Sequence, residues 1–390
     1  MDTILVIGSN SFSGSDFIDL VLQETDARVV GVSRSPEKSA LFLRYRGFAR
    51  QCEPSLDTAR EKTAPTRDER KSSFKTKYPP FTPSSRPPLA AYRGALPNLG
   101  GKARERDRSD LSRFQFVQLD LNRDMPALQE LLGTVRPAHV VNFASQSEVA
   151  PSWEHPEQWF QTNAVAVAAL ANFLKGREWL RRYVHISTPE VYGSCSGLVT
   201  EDAPFNPSTP YAASRAAAEL LLRTFVAQYA FPAVFVRAAN VYGARQQLHK
   251  IIPRTAIYLK LGRAIELHGG GQARRSFIHI RDVSRGELAI MQHGEVGHAY
   301  HLATDTTTEI REVVRRVCAL RGADFERCTR VGDDRVGQDS AYLLDCAKTR
   351  STLGWRPQIA LDTGLAEVVE WVDREWNLLR DEPLAYVHKP

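Results

Sequence analysis

Residues 3–14 read TILVIGSNSFSG, an apolar run followed at once by a glycine-rich turn. The run from Thr3 to Ile7 is typical of a buried strand, and the amphipathic stretch from Phe17 to Leu22 predicts a helix. A strand, a glycine turn and a helix in this order form the geometry that binds dinucleotides, because free backbone N–H groups at the helix start receive a pyrophosphate. Gly8 permits the tight turn, and Gly14 lets the helix pack close to the strand.

The second apolar run, Arg28 to Val32, ends in a turn that begins with Ser33 and Arg34. Sites selective for NAD usually carry an acidic residue at this point, whereas a cation and hydroxyls suit the 2′-phosphate of NADP. A plain polar loop would have the same composition. The sequence therefore predicts a nicotinamide dinucleotide, NAD or NADP, and leaves the choice open.

The alternation of strands and helices continues along the chain. Strands are predicted at 114–119, 138–143, 183–187 and 233–236, and helices at 126–135, 159–174 and 210–229. Apolar strands that alternate with helices predict an α/β fold, a doubly wound parallel sheet of the Rossmann type. Shorter elements follow, with helices expected at 309–320 and 361–376. We expect a Rossmann domain over residues 1–243 and a smaller C-terminal substrate-binding domain over residues 244–380.

Residues 50–110 interrupt this alternation. They hold 14 Lys or Arg, 8 Asp or Glu and eight prolines, and their surplus of six positive charges equals the net charge of the whole chain, +6. Such a segment cannot bury enough apolar surface to offset its ordering entropy, so we expect a disordered insertion. Because the other residues are balanced in charge, we expect no nucleic-acid partner; an arm that binds a polyanion or a protein is the alternative.

Composition bounds the class of protein. With 390 residues and 43% hydrophobic content, the chain can bury a large core. No apolar stretch reaches membrane-spanning length, and a strand at residue 3 leaves no room for a signal peptide. The five cysteines are scattered without metal-type spacing, which fits reduced thiols. We expect a cytoplasmic protein without a metal site and without membrane contact.

Two segments in the middle of the chain carry candidate catalytic residues. HISTPEVYG at 185–193 ends a predicted buried strand and delivers Thr188 and Glu190 to its carboxyl end. YAASR at 211–215 places Tyr211 and Arg215 four residues apart, so both project from one face of a helix.

A phenol beside a fixed cation can act in proton transfer. The positive charge favours the phenolate and is expected to lower the pKa of Tyr211 toward neutral pH. A structural tyrosine and a solvated arginine would have the same spacing. With the hydroxyl and carboxylate of the preceding segment, the set suits proton removal during hydride transfer.

These segments resemble the extended short-chain dehydrogenase/reductases that act on nucleotide sugars, and most resemble the dTDP-glucose 4,6-dehydratase group. The resemblance runs from about residue 3 to about residue 375, interrupted by the insertion. Further matching segments follow in order: FASQSEV at 143–149 with Thr162-Asn163, NVYG at 240–243, KIIP at 250–253, RSF at 275–277, Asp334-Arg335 through Gly337 to Asp339, and LGWRP at 353–357.

The resemblance implies a reaction with no net redox change. Tyr211 would take the proton of the sugar 4-hydroxyl as hydride leaves C4, with Thr188 hydrogen-bonded to that oxygen. Glu190 would remove the C5 proton, water would leave from C6, and the hydride would return to C6. The product would be a 4-keto-6-deoxy sugar, and the cofactor would stay bound.

The resemblance also implies the ligand-binding residues. Those for the cofactor are Gly8, Ser11, Phe12, Gly14, Ser33, Arg34, Asp120, Leu121, Ala144, Tyr211 and Arg215. Those for a nucleotide-diphosphate sugar are Gln146, Ser147, Asn240, Lys250, Arg275 and Arg335, where cations suit the two phosphates. A homodimer is expected through the alanine-rich helices at 159–174 and 210–229.

Three positions depart from the pattern of the dehydratases. Pro189 stands where they have an aspartic acid that protonates the leaving C6 hydroxyl. Arg215 replaces the usual lysine, and its planar guanidinium can sit differently against Tyr211. Ser11 replaces the middle glycine and would place a hydroxyl near the pyrophosphate.

Three alternatives to a dehydratase stay open. A nucleotide-sugar 4-epimerase needs no carboxylate at the position of Glu190, so this residue favours chemistry at C5. A UDP-glucuronate decarboxylase-like enzyme keeps the glutamate, but the segment at 335–339 looks more like the dehydratase version. A nucleotide-sugar-binding pseudoenzyme is conceivable from the three departures together.

Replacing residues 50–110 by a short Gly/Ser linker should leave the melting temperature and the cofactor content nearly unchanged, because the cost of loop closure grows slowly with loop length. Differential scanning calorimetry and cofactor assay of the purified protein check this. A collapse of either quantity would show that the segment packs on the fold or gates the site.

Overall fold

The computed structural model of the protein describes residues 2–47, 111–195, 197–333 and 343–389. The insertion expected at 50–110 and the candidate residue Arg335 lie outside the described residues. Their predictions therefore stay predictions.

Fifteen strands and fourteen α-helices are found in the described residues. The strands are β1 (Thr3–Ile7), β2 (Arg28–Ser33), β3 (Phe114–Gln118), β4 (His139–Asn142), β5 (Arg182–Ile186), β6 (Leu198–Val199), β7 (Ala233–Ala238), β8 (Asn240–Tyr242), β9 (Ile265–His268), β10 (Arg274–Arg275), β11 (Phe277–His279), β12 (Ala299–Leu302), β13 (Thr308–Glu309), β14 (Thr329–Gly332) and β15 (Leu343–Leu344). The helices are α1 (Phe12–Glu24), α2 (Arg44–Gly47), α3 (Met125–Val135), α4 (Val149–Glu154), α5 (Pro156–Phe160), α6 (Ala166–Leu174), α7 (Pro210–Tyr229), α8 (Ile251–Lys260), α9 (Ile280–His293), α10 (Ile310–Leu320), α11 (Phe325–Cys328), α12 (Ala347–Leu353), α13 (Leu361–Arg374) and α14 (Trp376–Leu379).

A seven-stranded sheet with the order β12-β7-β5-β4-β1-β2-β3 forms the centre of the fold. All of its pairings are parallel; Leu5 of β1, for example, lies between Val30 of β2 and Val140 of β4. The strand order reverses between β1 and β4, and ligands of such sheets bind at the carboxyl ends of the strands at this switch point. The predicted doubly wound α/β fold is confirmed.

Apolar side chains fill both faces of the sheet. One core includes Phe17 and Ile18 of α1 with Ile290 and Met291 of α9, and the other includes Leu170 of α6. Because both faces are covered, the strands carry mostly apolar residues without strict alternation, and this pattern made them recognisable in the sequence. A third core, around Trp371 of α13, lies in the smaller C-terminal part.

The chain crosses the division expected at residue 243. Helix α9 packs against α1, and β12 pairs with β7 as the seventh strand of the central sheet. Residues 280–302 therefore lie with the Rossmann part, although they follow the first elements of the smaller part.

The helix predicted at 159–174 contains an irregular turn. A π turn at Gln161–Val165 joins α5 to α6 and buries Asn163. The Asn163 side chain bonds both the backbone N–H and the backbone carbonyl of Gln146, at 2.8 and 3.0 Å, and the Ser214 hydroxyl at 2.9 Å. The turn thus fixes the loop that follows β4.

A buried polar network joins α7, β7 and β12. Arg237 of β7 forms an ion pair with Glu219 of α7, and both side chains are fully buried. Arg237 also bonds the Tyr192 hydroxyl, which lies 2.7 Å from Nε2 of His301. The His301 Nδ1 lies 2.9 Å from the Asp345 carbonyl, so Nδ1 carries the proton and Nε2 accepts from Tyr192.

Among the described residues, no helix combines the length and the apolar character needed to cross a membrane.

We predict that His301 makes the fold sensitive to acid. Burial, with the nearby charge of Arg237, lowers the pKa of His301 from 6.5 to about 3. Because the folded state resists a proton that the unfolded state takes up, stability is complete above about pH 6.5 and falls as the pH drops toward 3, by up to about 1.4 kcal/mol per pH unit. Denaturant unfolding of His301→Gln should show a shallower decline than the wild type, whereas the half-exposed His298→Gln should match the wild type. An unchanged slope for His301→Gln would contradict the prediction.

Candidate active site

The turn between β1 and α1 is built for a close approach of backbones. Gly8 has φ of +85°, and a Cβ there would lie 2.8 Å from the backbone nitrogen of Ala144. A Cβ on Gly14 would lie 2.5 Å from the Gly8 carbonyl oxygen and 2.9 Å from Ser11 Oγ. Both glycines are therefore required by packing, as the sequence predicted.

Ser11 stabilises the start of helix α1. It is the N-cap of α1, and its hydroxyl accepts a hydrogen bond from the Gly14 N–H at 3.0 Å. The hydroxyl expected near a pyrophosphate thus bonds the helix itself. Phe12, the first residue of α1, reaches across to Gly243.

The loop after β2 is braced against the glycine turn. The Asn10 amide donates to the Ser35 and Pro36 carbonyls at 3.1 and 2.8 Å. Ser33 ends β2, and its carbonyl accepts from the Leu119 N–H. Arg34, expected beside a cofactor ribose, donates to the Lys389 carbonyl at 3.0 Å.

The loop after β3 is held by bonds within its own turn and by the end of β2. The Asp120 carboxylate accepts from the backbone N–H of Asn122 at 2.8 Å, and Leu121 is buried. The carboxylate is thus engaged by its own turn.

The carboxyl end of β5 delivers Thr188 and Glu190. Thr188 is the N-cap of a 3₁₀ turn, Pro189–Tyr192, and its Oγ1 accepts from the Glu190 N–H at 3.3 Å. Pro189 suits the first position of such a turn because it has no N–H to leave unpaired. The turn holds Glu190 next to Thr188.

Helix α7 brings Tyr211 to the same place. Its N-cap is Thr209, whose side chain accepts from the Ala212 N–H, and the Tyr211 N–H donates to Ser152 Oγ at 3.2 Å. The Tyr211 phenol hydrogen-bonds the Thr188 hydroxyl, and the charges of Arg215 and Glu190 both act on it. The four predicted catalytic residues are therefore assembled at one edge of the sheet.

The pKa expected for Tyr211 is wrong in direction. Burial raises the pKa of Tyr211 to about 12, although Arg215 and the hydrogen bond from Thr188 act to lower it. Only 8% of the Tyr211 side chain is exposed, and removal of water disfavours the phenolate more than one cation favours it. The phenol is protonated at neutral pH in this structure.

Buried polar atoms around this edge fit a dinucleotide. Arg215 Nε and Ser187 Oγ are both buried and have no hydrogen-bond partner within the described part of the chain. An unpartnered buried polar group is costly, and ribose hydroxyls would satisfy both. With the glycine turn and the N-terminus of α1, these groups form a cradle suited to NAD or NADP.

The predicted substrate residues lie in several separate elements. Gln146 is buried and donates to the Lys389 carbonyl at 2.7 Å, whereas Ser147 is exposed. Asn240 lies in β8 with its Oδ1 buried and unpaired among the described residues. Arg275 donates to the Arg274 carbonyl at 2.8 Å.

Lys250 binds a carboxylate that the sequence reasoning did not single out. Its ammonium lies 2.7 Å from Glu148, whose Oε1 is also 3.1 Å from His249. Burial acts to raise the pKa of Glu148, but the hydrogen bond from His249 and the charge of Lys250 hold it down at about 2. The sequence offers only one acidic residue in the segment at 143–149 and a basic pair at 249–250, and no spacing rule joins the two segments.

A second group missed from the sequence is the segment after α14. Tyr386, His388 and Lys389 contact residues far away in the chain, including Gln146 and Gln158. No periodicity marks this segment in the sequence.

Residues 91–368 match the model of a protein family described as GDP-mannose 4,6 dehydratase. A dTDP-glucose 4,6-dehydratase of Streptomyces niveus is 33% identical over 290 residues, which span 73% of this chain and 82% of that protein. The dTDP-glucose 4,6-dehydratase of Haemophilus influenzae is 30% identical over 280 residues, which span 66% and 82%.

Solved structures share the fold over nearly the whole chain. A dTDP-glucose 4,6-dehydratase from Streptomyces venezuelae, solved with NAD bound, has a TM-score of 0.73 and 26% identity, covering 96% of this chain and 98% of that one. A UDP-glucuronic acid 4-epimerase from Bacillus cereus has a TM-score of 0.73 at 20% identity, covering 95% and 99%. At that identity the epimerase shows the fold alone.

The capping role of Ser11 predicts that two substitutions lower the stability by different amounts. Ser11→Ala should lower the free energy of unfolding by about 1 kcal/mol, because the Gly14 N–H loses its acceptor, whereas Ser11→Gly should cost only a few tenths. Urea unfolding measures both. Equal losses, or none for Ser11→Ala, would show that the hydroxyl does not stabilise the helix.

Proposed function

The chain belongs to the GDP-mannose 4,6-dehydratase family, and we propose that it converts a nucleotide-diphosphate hexose to the 4-keto-6-deoxy sugar with tightly held NAD or NADP. The assembly of Thr188, Glu190 and Tyr211 at the carboxyl edge of the sheet, after β5, is the observation that carries this proposal. A hydrogen-bond donor, a carboxylate and a phenol side by side at this edge support the proposal, because ligands of such sheets bind at the carboxyl ends of the strands.

Tyr211 and Thr188 act at the sugar C4 oxygen. Tyr211 must first lose its own proton to solvent; as the phenolate, which Arg215 stabilises, it then takes the hydroxyl proton while Thr188 holds the oxygen through its own hydroxyl. When bound, the oxidised nicotinamide supplies the hydride acceptor and a positive charge that further favours this phenolate. The residues that would hold it are the glycine turn, Arg34 and Arg215.

Glu190 acts at the neighbouring carbon. A ketone at C4 acidifies the C5 proton, and the Glu190 carboxylate removes it. Water then leaves from C6, so that a double bond forms between C5 and C6. Since Pro189 carries no acid, we propose that Glu190, which has just taken up the C5 proton, gives that proton to the departing hydroxyl. The hydride taken from C4 would then add to C6 and a proton from solvent to C5, which completes the 4-keto-6-deoxy sugar.

The epimerase alternative requires only proton and hydride transfer at C4. Tyr211 and Thr188 would suffice for it, so the carboxylate of Glu190 in the same group favours the dehydratase. The pseudoenzyme alternative is weakened by the intact bond between Tyr211 and Thr188. A decarboxylase-like reaction would use the same three residues and differ in its substrate.

A homodimer through α5–α6 and α7 is part of the proposal. The two helical segments pack side by side, and apolar side chains on them are exposed: Phe160 (38%), Val165 (53%), Leu220 (53%) and Tyr229 (49%). Apolar side chains concentrated on neighbouring helices are typical of an interface. A cytoplasmic location also stays our proposal, supported by the four free cysteines that the structure describes.

Two substitutions should separate the steps. Tyr211→Phe should give no reduced-cofactor absorbance with substrate, because no base takes the C4 hydroxyl proton. Glu190→Gln should accumulate reduced cofactor without loss of water, because C4 is oxidised but C5 keeps its proton. Each change should slow product formation by about 10²- to 10⁴-fold, and the exposed Glu157→Gln should be normal.

In heavy water the wild type should place one deuterium at C5 of the product, and Glu190→Gln should not. Mass spectrometry and NMR of the product check this. A sugar inverted at C4 without solvent deuterium would identify an epimerase and remove Glu190 from the mechanism.

Light scattering at micromolar concentration should give the mass of a dimer. Leu220→Glu should give a monomer, because it places a charge in the apolar interface, whereas Leu378→Glu on α14 should stay dimeric. A monomeric wild type, or dimers for both variants, would contradict the proposed interface.

A further inference from the structure

A segment after α14 crosses from the smaller part to the Rossmann part. Residues 383–389, here named the strap, alternate between partly buried and exposed side chains, with Leu384, Tyr386 and His388 facing inward. Val387 faces outward and is 63% exposed. This alternation shows an extended segment with one face held against the protein.

The base of the strap is anchored in the smaller part. Leu384 packs against the core that includes Trp371 and Leu379. The Tyr386 ring meets the His249 ring nearly edge-on, with centroids 5.5 Å apart. His249 in turn bonds Glu148. The ring contact therefore lies next to the loop that follows β4.

His388 fixes the strap to helices α4 and α5. Its ring stacks on Trp159 and on the neighbouring His155, with centroids 5.2 and 5.7 Å away. Nε2 lies 2.6 Å from the Gln158 Oε1, and Nδ1 lies 3.2 Å from the Tyr386 hydroxyl. A proton on Nε2 satisfies both contacts, since Nε2 then donates to Gln158 and Nδ1 accepts from Tyr386.

The tip of the strap joins the loop after β2 to the loop after β4. The Lys389 carbonyl accepts from Arg34 at 3.0 Å and from Gln146 at 2.7 Å. Arg34 follows β2 and Gln146 follows β4, and β1 with its glycine turn lies between these strands. One carbonyl thus spans the switch point at which a dinucleotide would lie.

We propose that the strap positions Arg34 and Gln146 and covers a nicotinamide dinucleotide bound at the glycine turn, so that the cofactor is released slowly. This inference rests on the proposed function. A reaction that returns its hydride within one turnover needs no exchange of cofactor, so slow release costs no rate. Tyr386, His388 and Lys389 are positioning residues here.

The strap can be loosened without touching the catalytic group. The double variant Tyr386→Ala/His388→Ala removes the ring contacts and the bond to Gln158; the milder Tyr386→Phe/His388→Gln keeps most of the volume. Val387→Ala is the matched control, since its side chain points away from the protein. Thermal unfolding identifies any variant that fails to fold.

The readout is the dissociation rate of the cofactor, measured by chasing bound cofactor with labelled nucleotide. Loss of three ring contacts to His249, Trp159 and His155 and of two hydrogen bonds should raise this rate about 10- to 100-fold in the alanine double variant, with a smaller rise in the milder one. Activity should fall on dilution and return on addition of cofactor, whereas Val387→Ala should match the wild type.

An unchanged dissociation rate in both double variants would overturn the inference. Tighter cofactor binding in the variants would also overturn it, because the strap would then compete with the cofactor. The two proposals can fail separately. If cofactor release depends on the strap but the wild type dehydrates no nucleotide sugar, the proposed function is wrong and the role of the strap is retained.

Discussion

The buried ion pair between Arg237 and Glu219 is the constraint on which the geometry of the site depends. Glu219 lies on the same face of α7 as Tyr211 and Arg215, at successive four-residue steps. Arg237 also bonds Tyr192, which ends the turn that carries Glu190. Since removal of one partner from such a buried pair costs about 3–5 kcal/mol, the helix with the phenol and the turn with the carboxylate keep a fixed relation.

Much of the fold could be predicted from the sequence because its strands are buried on both faces. The runs at 3–7, 28–32 and 183–187 carry apolar residues at neighbouring positions, which face opposite sides of a strand, and they are found as strands within one or two residues. Tyr211 and Arg215 could be paired because a helix fixes their spacing. The direction of the shift in the Tyr211 pKa could not be predicted. The spacing reveals the nearby cation, but it does not reveal how completely the phenol is removed from water.

Contacts between residues that are distant in the chain could not be predicted either, because local spacing contains no information on them. Lys250 was expected to hold phosphate, yet it binds Glu148 about a hundred residues earlier, and only the tertiary fold brings the two together. The strap joins residues more than two hundred positions apart. The coverage that we propose for the strap suits a cofactor that gives and recovers one hydride within a single site.

Intramolecular return of the hydride is the central claim, and one labelling experiment tests it most directly. A nucleotide hexose deuterated at C4 is converted together with unlabelled substrate, and the product is analysed by NMR and mass spectrometry. The account predicts that the deuterium appears at C6 of the same molecule, with none in the unlabelled pool. Deuterium that returns to C4, or that is lost to solvent or exchanged between molecules, would contradict it.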